Sequence, residues 1–411
     1  MTDVITQAVI LAGGLGVRLR PLTNTVPKPM IPVHERPFLD YLIASLRAQG
    51  IKRILLLLGY LPDVIQDYFG DGHKFGVEIE YSITDVENDT GTRVRLAEQQ
   101  VDPVFILLYA DNIWPLRLKE MARKFFSGDA LGQLTVYSNG DDYSKNNNVR
   151  VTTEGRVVCY DKSRETPRLK GVDIGYSILR REAIKLIPEE NVNFERTVYT
   201  ALCQRHQLSA YITHHRYYSI GSHERLPITN LYLAPKRFII LDRDGVLNRR
   251  AAKAEYIRSW REFEWLPGSK EAVVRLTESG YSIIVVTNQA GIAHGKMSDL
   301  DVADIHRNIL EDVEQVGGRI EKFYYCPHGW DEQCSCRKPR PGMLFEAQRD
   351  FNLDLSTITF IGDDERDMEA GEAAGCRTVL LDSSCSLLDV VQNDILIEKN
   401  LNHATMNITK D

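Results

Sequence analysis

The sequence predicts two consecutive α/β domains, each built on a doubly wound, mostly parallel sheet. Three observations carry this. The chain has 411 residues, too many for one ordinary domain. Apolar runs of strand length alternate with helical patterns through much of both halves. Several of those runs end in glycines or carboxylates, where open α/β sheets place their crevices.

The elements follow in order. "ITQAVILA" (5–12) reads as a buried strand running into the loop "GGLGVRLRPLTNTVPKPMIPV". A helix is expected at 37–49, a strand at 51–58, a helix near 62–69 and a strand near 77–83. "VFILLYAD" (104–111) is a further buried strand that ends in a carboxylate. From 133 to 220 strands dominate, with a helix near 194–206, and helical pattern returns at 223–233. "APKR" (234–237) then breaks the pattern, which places a domain boundary there and gives domains at 1–233 and 237–395. In the second domain strands are expected at 238–242, 282–287, 321–325, 357–361 and 377–381. Helices are expected near 269–279, 299–316, 341–351 and 367–374, and residues 396–411 read as a loosely held tail.

Composition narrows the function classes. Hydrophobic content of 43% and charged content of 26% fit a globular, water-facing chain. The longest apolar run, "ILLLLGYL" (54–61), has strand length and is too short to span a bilayer, so no membrane partner is expected. A formal charge of −7 argues against nucleic acid as the main partner. The N-terminus lacks a basic n-region and a cleavage site, which predicts a cytoplasmic location. Seven cysteines, three of them clustered, suggest a metal site in a reducing compartment over a disulfide framework.

In the second domain four segments carry reactive groups. "IILDRDG" supplies Asp242 and Asp244, "IIVVTNQAG" supplies Thr287 and Asn288, "CSCRKPRPGM" supplies Arg337 and Lys338, and "ITFIGDDERDMEAG" supplies Asp363, Asp364 and Asp367. Like charges so close need a cation between them, and carboxylates gathered in one crevice suit the hard cation Mg²⁺. Separately, "CPHGWDEQCSC" offers Cys326, His328, Cys334 and Cys336, three thiolates and an imidazole, a tetrahedral Zn²⁺ set with no open position. Such a clip directly before Arg337 and Lys338 would pin the loop that carries them.

The order D-x-D-G-x-L-N, T-N-Q, Lys, G-D-D-x-x-D resembles the haloacid dehalogenase superfamily of phosphohydrolases. "FEWLPGSKEAVVRL", "TNQAGIAHG" and "CRKPRPGM" are similar to its heptose 1,7-bisphosphate and histidinol-phosphate phosphatase subgroup, and "LPG" and "CRKPRPGM" lean toward the heptose side. The resemblance implies that Asp242 attacks phosphorus and forms an aspartyl-phosphate, with Asp244 as acid and then base. It implies that Asp242, the Asp244 carbonyl and Asp363 hold Mg²⁺. Thr287 and Lys338 would hold phosphoryl oxygens, and Asn288 and Arg337 join them as phosphate or substrate contacts. His294 stands where an arginine is more usual.

In the first domain, "LAGGLGVRLRPLTNTVPKPMIPV" resembles the sugar-1-phosphate nucleotidyltransferases, with their L-A-G-G-x-G-T-R-L-x-P-L-T…P-K-P signature. The resemblance implies that Gly13, Gly14 and Gly16 admit the nucleotide and its phosphates, that Arg18 and Lys28 hold the triphosphate, and that Asp111 binds Mg²⁺. Lys162, in "CYDKS", corresponds to a sugar-phosphate lysine, and Asp173, in "GVDIGYSIL", to a sugar contact. Three departures stand out. Val17 replaces a threonine, "NDTGTRVRLAE" (88–98) follows the family's L-G-T-x-G-A loop only loosely, and Ser219 stands where the family places a second metal-binding carboxylate.

Together the halves imply a bifunctional enzyme of NDP-sugar synthesis, acting on sugar phosphates and NTPs, with NDP-heptose as the expected product. Two alternatives remain from sequence: a phosphatase with a nucleotidyltransferase-like binding domain, and a histidinol-phosphate phosphatase.

Overall fold

The computed structural model describes residues 4–144, 147–252, 255–382 and 385–397. The chain divides into two compact units, Met1–Ala234 and Pro235–Asp411. The tail expected from 396 lies almost wholly outside the described residues. Among the described residues, no helix is long and apolar enough to cross a membrane.

The first unit is built on a seven-stranded sheet. Its strands are β1 (Gln7–Leu11), β2 (Arg53–Leu58), β3 (Glu78–Ile83), β4 (Val104–Tyr109), β5 (Gly132–Tyr137), β6 (Val172–Arg180) and β7 (Leu208–Thr213). They run in the order β7-β5-β6-β4-β1-β2-β3. Only β6 pairs antiparallel, with β4 and β5. Strand side chains alternate between faces, so Ala8 and Ile10 enter one core while Val9 and Leu11 enter the other. The helices that cover these faces include α1 (Phe38–Ala48), α2 (Pro62–Phe69), α3 (Thr90–Leu96) and α4 (Leu118–Phe126). Both α3 and α4 are absent from the sequence reading, whereas α1 and α2 fall where periodicity puts them.

The second unit has five parallel strands, β8 (Phe238–Leu241), β9 (Ser282–Asn288), β10 (Lys322–Cys326), β11 (Thr359–Gly362) and β12 (Arg377–Leu380). Their order is β10-β9-β8-β11-β12. The expected strands all form, within a residue or two at their ends. The chain steps from β8 outward through β9 and β10, then returns to the other side of β8 with β11. That reversal opens a crevice at the carboxyl end of β8. The first unit reverses in the same way, from β1 to β3 and back to β4, so its crevice lies beyond β1 and β4.

Two candidate active sites

In the second unit the loop after β8 carries Asp242 and Asp244. Gly245 follows at φ 97°, and a Cβ there would stand 1.9 Å from Asp363 Oδ2. Only glycine lets the β8 loop approach the β11 loop so closely. Helix α5 (Glu365–Ala374) begins just beyond Asp363, capped reciprocally by Asp364 and Asp367. That cap turns Asp367 inward, where it is 1% exposed.

Lys338 is the hub. Its ammonium donates to Asp242 at 2.7 Å and pairs with Asp367 at 2.6 Å. It also donates to the Val286 carbonyl at 3.1 Å, and the side chain is 4% exposed. Burial raises the Asp242 carboxyl above its ordinary value, against the pull of Lys338 and with the push of Asp367 and Asp244. Asn288 fixes the lysine's backbone from both sides, accepting from Lys338 N and donating to Lys338 O at 3.1 Å each. Asn288 also lines the cavity above the site, and its second amide N–H is not used by Lys338. Arg337 donates to the His328 carbonyl at 3.3 Å.

Asp244 sits in a different environment. The fully buried Arg243 donates to both its oxygens, at 3.0 and 2.9 Å, Gln289 donates at 2.8 Å and Asn248 at 2.9 Å. Burial pushes Asp244 up, but these donors outweigh it and hold it below the ordinary carboxylate range. Thr287 Oγ1 lies 3.4 Å from the same carboxylate. Arg243 and Gln289 hold Asp244, and Arg250 pairs with Asp363 and Asp364; none of the three is among the candidates named from sequence. Arg243 lies inside the quoted D-R-D, the one signal that could have found it.

The ligand atoms of Asp242, Asp363 and Asp367 all lie within 4.8 Å of one another. Asp363 Oδ1 is buried without a hydrogen-bond partner, while its Oδ2 meets Arg250 at 3.3 Å. Burial raises Asp363 to about 6. An orphaned carboxylate oxygen inside a three-carboxylate cluster fits a hard cation. A cavity of about 1040 Å³ opens above the group, lined also by Tyr256, His294, Lys296, Trp330 and Arg366.

On the loop before Lys338, Cys326 Sγ lies 3.6 Å from Cys334 Sγ and 3.3 Å from Cys336 Sγ. His328 Nδ1 is 3.6 Å from Cys326 and 3.2 Å from Cys336. Ligands ~2.0–2.3 Å from one tetrahedral ion stand roughly 3.3–3.8 Å apart, so the set fits a single Zn²⁺.

In the first unit, Gly13, Gly14, Gly16, Arg18, Lys28 and Asp111 line one cavity of about 310 Å³. Gly16 has φ 63°, and a Cβ there would press on Thr23 and Lys28 at 3.0 and 3.1 Å. Lys28 pairs directly with Asp111. Burial pushes Asp111 up, but Lys28 and Arg18 outweigh it and hold it low. The short pair Asn112–Ile113 and Tyr218–Ser219 sets Ser219 opposite Asn112, and Ile220 N donates to the Asp111 carbonyl at 3.0 Å. Ser219 thus lies opposite the neighbour of Asp111; it is not among the residues that line the cavity, whereas Gly221, two residues on, is. Among the described residues, Asp111 belongs to no cluster of three potential metal ligands. It fits Mg²⁺ only as a lone carboxylate completed by water and phosphate oxygens.

Lys162 and Asp173 are not among the residues that line this cavity. Lys162 pairs with Glu195, a partner the sequence reading missed, and donates to Asn193 at 3.3 Å. Asp173 accepts from Tyr160 at 3.1 Å and from Gly175 N at 3.0 Å, and burial raises it to about 6.

Comparison with known proteins agrees with this division. A nucleotidyl transferase family model matches residues 7–158, and a HAD-hydrolase-like model matches 335–392. The D-glycero-beta-D-manno-heptose-1,7-bisphosphate 7-phosphatase of Pseudomonas aeruginosa is 41% identical over 146 residues, 36% of this chain and 81% of the relative. The D-glycero-alpha-D-manno-heptose-1,7-bisphosphate 7-phosphatase of Mycobacterium bovis is 40% identical over 156 residues, 36% of this chain and 80% of the relative. Among solved structures, HddC from Yersinia pseudotuberculosis with GMP-PN is 25% identical with a TM-score of 0.47, covering 54% of this chain and 97% of that one. The chain therefore belongs, through its second unit, to the heptose-1,7-bisphosphate 7-phosphatase family of haloacid dehalogenase-like hydrolases, and joins to it a nucleotidyl transferase domain.

Proposed function

We propose that the chain removes the 7-phosphate from a heptose 1,7-bisphosphate and joins the resulting sugar 1-phosphate to a nucleotide, releasing pyrophosphate. The observation that carries this reading is the joining of two complementary sites on one chain. One gathers Asp242, Lys338 and two further carboxylates, and the other gathers a glycine turn, Arg18, Lys28 and Asp111.

In the phosphatase half, an Asp242 oxygen forms a bond to phosphorus as the bond from phosphorus to the sugar's C7 oxygen breaks. Asp244 gives that oxygen a proton. Water then attacks the phosphoryl group on Asp242 and passes a proton to Asp244, and phosphate leaves. Arg243, Gln289 and Asn248 orient Asp244 and favour its ionised form, the form needed for the second half. Lys338 and Thr287 face the phosphoryl oxygens as charge shifts onto them. Asp242, Asp363 and the Asp244 carbonyl would hold Mg²⁺, which supplies the positive charge that lets a carboxylate approach a phosphate dianion. Cys326, His328, Cys334 and Cys336 would hold a structural Zn²⁺ that crosslinks the Lys338 loop.

In the transferase half, an oxygen of the sugar 1-phosphate bonds to the α-phosphorus of the NTP as the bond to the pyrophosphate oxygen breaks. Arg18 and Lys28 take up charge on the leaving pyrophosphate. Lys162 and Asp173 are proposed contacts of the sugar phosphate and the sugar. Asp111 would hold Mg²⁺ there, with phosphate oxygens and water completing the shell.

A second reading, in which the first unit binds without turnover, is favoured by Ser219 and by the Lys28–Asp111 pair. One assay separates the two. The chain is given heptose 1,7-bisphosphate with each of the four common NTPs, and phosphate and pyrophosphate are followed together. Both are expected. Phosphate alone, with every NTP and at high Mg²⁺, would leave the second reading standing.

A further inference from the structure

We infer that Arg93 is the positioning residue of the nucleotide cavity, a clamp that holds three chain segments around it. The inference rests on the reading of the first unit as an NTP site.

Arg93 lies on α3, whose first turn is capped by Asp89. It is 3% exposed and lines the cavity. Its Nη1 donates to the Leu58 carbonyl at 2.6 Å and to Thr84 Oγ1 at 2.5 Å. Its Nη2 donates to the carbonyls of Gly13, Asp85 and Val86 at 3.3, 3.0 and 3.1 Å. These acceptors come from the glycine turn after β1, from the end of β2 and from the stretch that follows β3. Gly13 and Val86 line the cavity themselves. The same guanidinium explains two glycines. A Cβ at Gly13 would meet Arg93 Nη1 at 2.7 Å, and one at Gly59 would meet it at 2.3 Å.

A fork of donors spread over backbone carbonyls of three segments is poor chemistry for core stability alone, because a buried cation is costly to desolvate. It is good chemistry for fixing loops in advance of a ligand. Loops held in the bound arrangement lose less freedom when the ligand arrives, which appears as affinity. Lysine carries the same charge, but it cannot present the planar fork that reaches all three segments.

The test measures equilibrium binding of each common NTP in the absence of sugar phosphate, and then steady-state transfer. Arg93→Ala and Arg93→Lys are both expected to weaken the preferred NTP by about tenfold or more, in line with loss of supporting contacts around a site. The KM for sugar 1-phosphate, kcat at saturating NTP, and phosphate release by the second unit should stay near wild type. Added guanidinium ion should recover part of the NTP affinity of Arg93→Ala. Gly59→Ala crowds the clamp from the other side and should shift NTP affinity in the same direction, which keeps the test open if Arg93→Ala fails to fold. Wild-type NTP affinity in Arg93→Lys or in Gly59→Ala would overturn the clamp, as would an equal loss of sugar 1-phosphate affinity. If wild type binds no NTP, the transferase reading itself fails and takes this inference with it, an outcome distinct from binding that the variants leave unchanged.

Discussion

The two crevices each set a lysine across an aspartate at the reversal point of a parallel sheet: Lys338 on Asp242 in the second unit, Lys28 on Asp111 in the first. Their surroundings differ in charge. Around Lys338 three carboxylates cluster, and one oxygen of Asp363 has no partner. The cavity around Lys28 is lined by Asp111, which pairs with Lys28, and by Asp89, which caps α3, with Arg18 and Arg93 on the same wall and Ser219 opposite the neighbouring Asn112. In the first arrangement three carboxylates share one lysine, and in the second one aspartate faces both Lys28 and Arg18. One shared device is therefore tuned two ways. On the proposed reading, the acidic crevice would take a metal that offsets its carboxylates. On the same reading, the first cavity would take a triphosphate, which brings its own anionic oxygens.

The largest effect should come from breaking the acidic side. Asp242→Asn removes the nucleophile and leaves Lys338 paired with Asp367. Phosphate release should fall by roughly three orders of magnitude or more, because a residue that forms a covalent intermediate has no substitute. NTP binding by the first unit should be unchanged. Near-normal phosphate release from this variant would end the assignment of Asp242.

An intermediate effect is expected at the cysteine clip. Protein purified without added zinc should carry about one equivalent, from the four-ligand set. Cys334→Ser should lower the melting temperature of the second unit and reduce phosphatase turnover about tenfold or more, the usual scale for loss of support around a site. The route is geometric. The clip residue His328 accepts from Arg337, the neighbour of Lys338, and Arg340 donates to the Cys334 carbonyl at 2.5 Å. A zinc-free preparation together with a fully active Cys334→Ser would contradict a structural metal. Among the described residues no such cysteine clip includes the neighbours of Lys28, so the variant should not touch pyrophosphate release.

The same contrast explains what the sequence could and could not disclose. The convergence of Asp242 with Asp363, and of Cys326, His328, Cys334 and Cys336, was legible because strand ends and local spacing place these side chains. The strands themselves were legible because they are short buried runs. Helix α3 was not, since "NDTGTRVRLAE" shows no apolar face. It is held by the Asp89 cap and by the bonds of Arg93 to residues far away in the chain. Asn288 illustrates the same limit. Its place in T-N-Q points to a substrate contact and it lines the cavity, but the bonds of its amide to Lys338, 50 residues on, leave no mark in the motif. Partner choice across such separations is a property of the packed fold and leaves no periodic trace.

The smallest and sharpest test is made at Ser219, where a carboxylate can be supplied. Ser219 is 5% exposed and sits opposite Asn112, one residue from Asp111. If the first unit transfers nucleotide, Asp111 must serve as the single protein carboxylate of its metal, already shared with Lys28. Mg²⁺ accepts one carboxylate when waters and phosphate oxygens fill the other positions, at the expense of affinity. Wild type should therefore need high Mg²⁺ for pyrophosphate release. Ser219→Asp places a carboxylate opposite the neighbour of Asp111 and should lower the half-saturating Mg²⁺ by a few-fold to about tenfold, on the scale of one added charged ligand. Asp111→Asn should abolish transfer and leave phosphate release intact. The opposite result is equally readable. A Ser219→Asp variant with an unchanged Mg²⁺ requirement, in a chain that does release pyrophosphate, would mean that Lys28 and Arg18 carry the transition-state charge without a metal on Asp111. The serine would then not be a missing ligand.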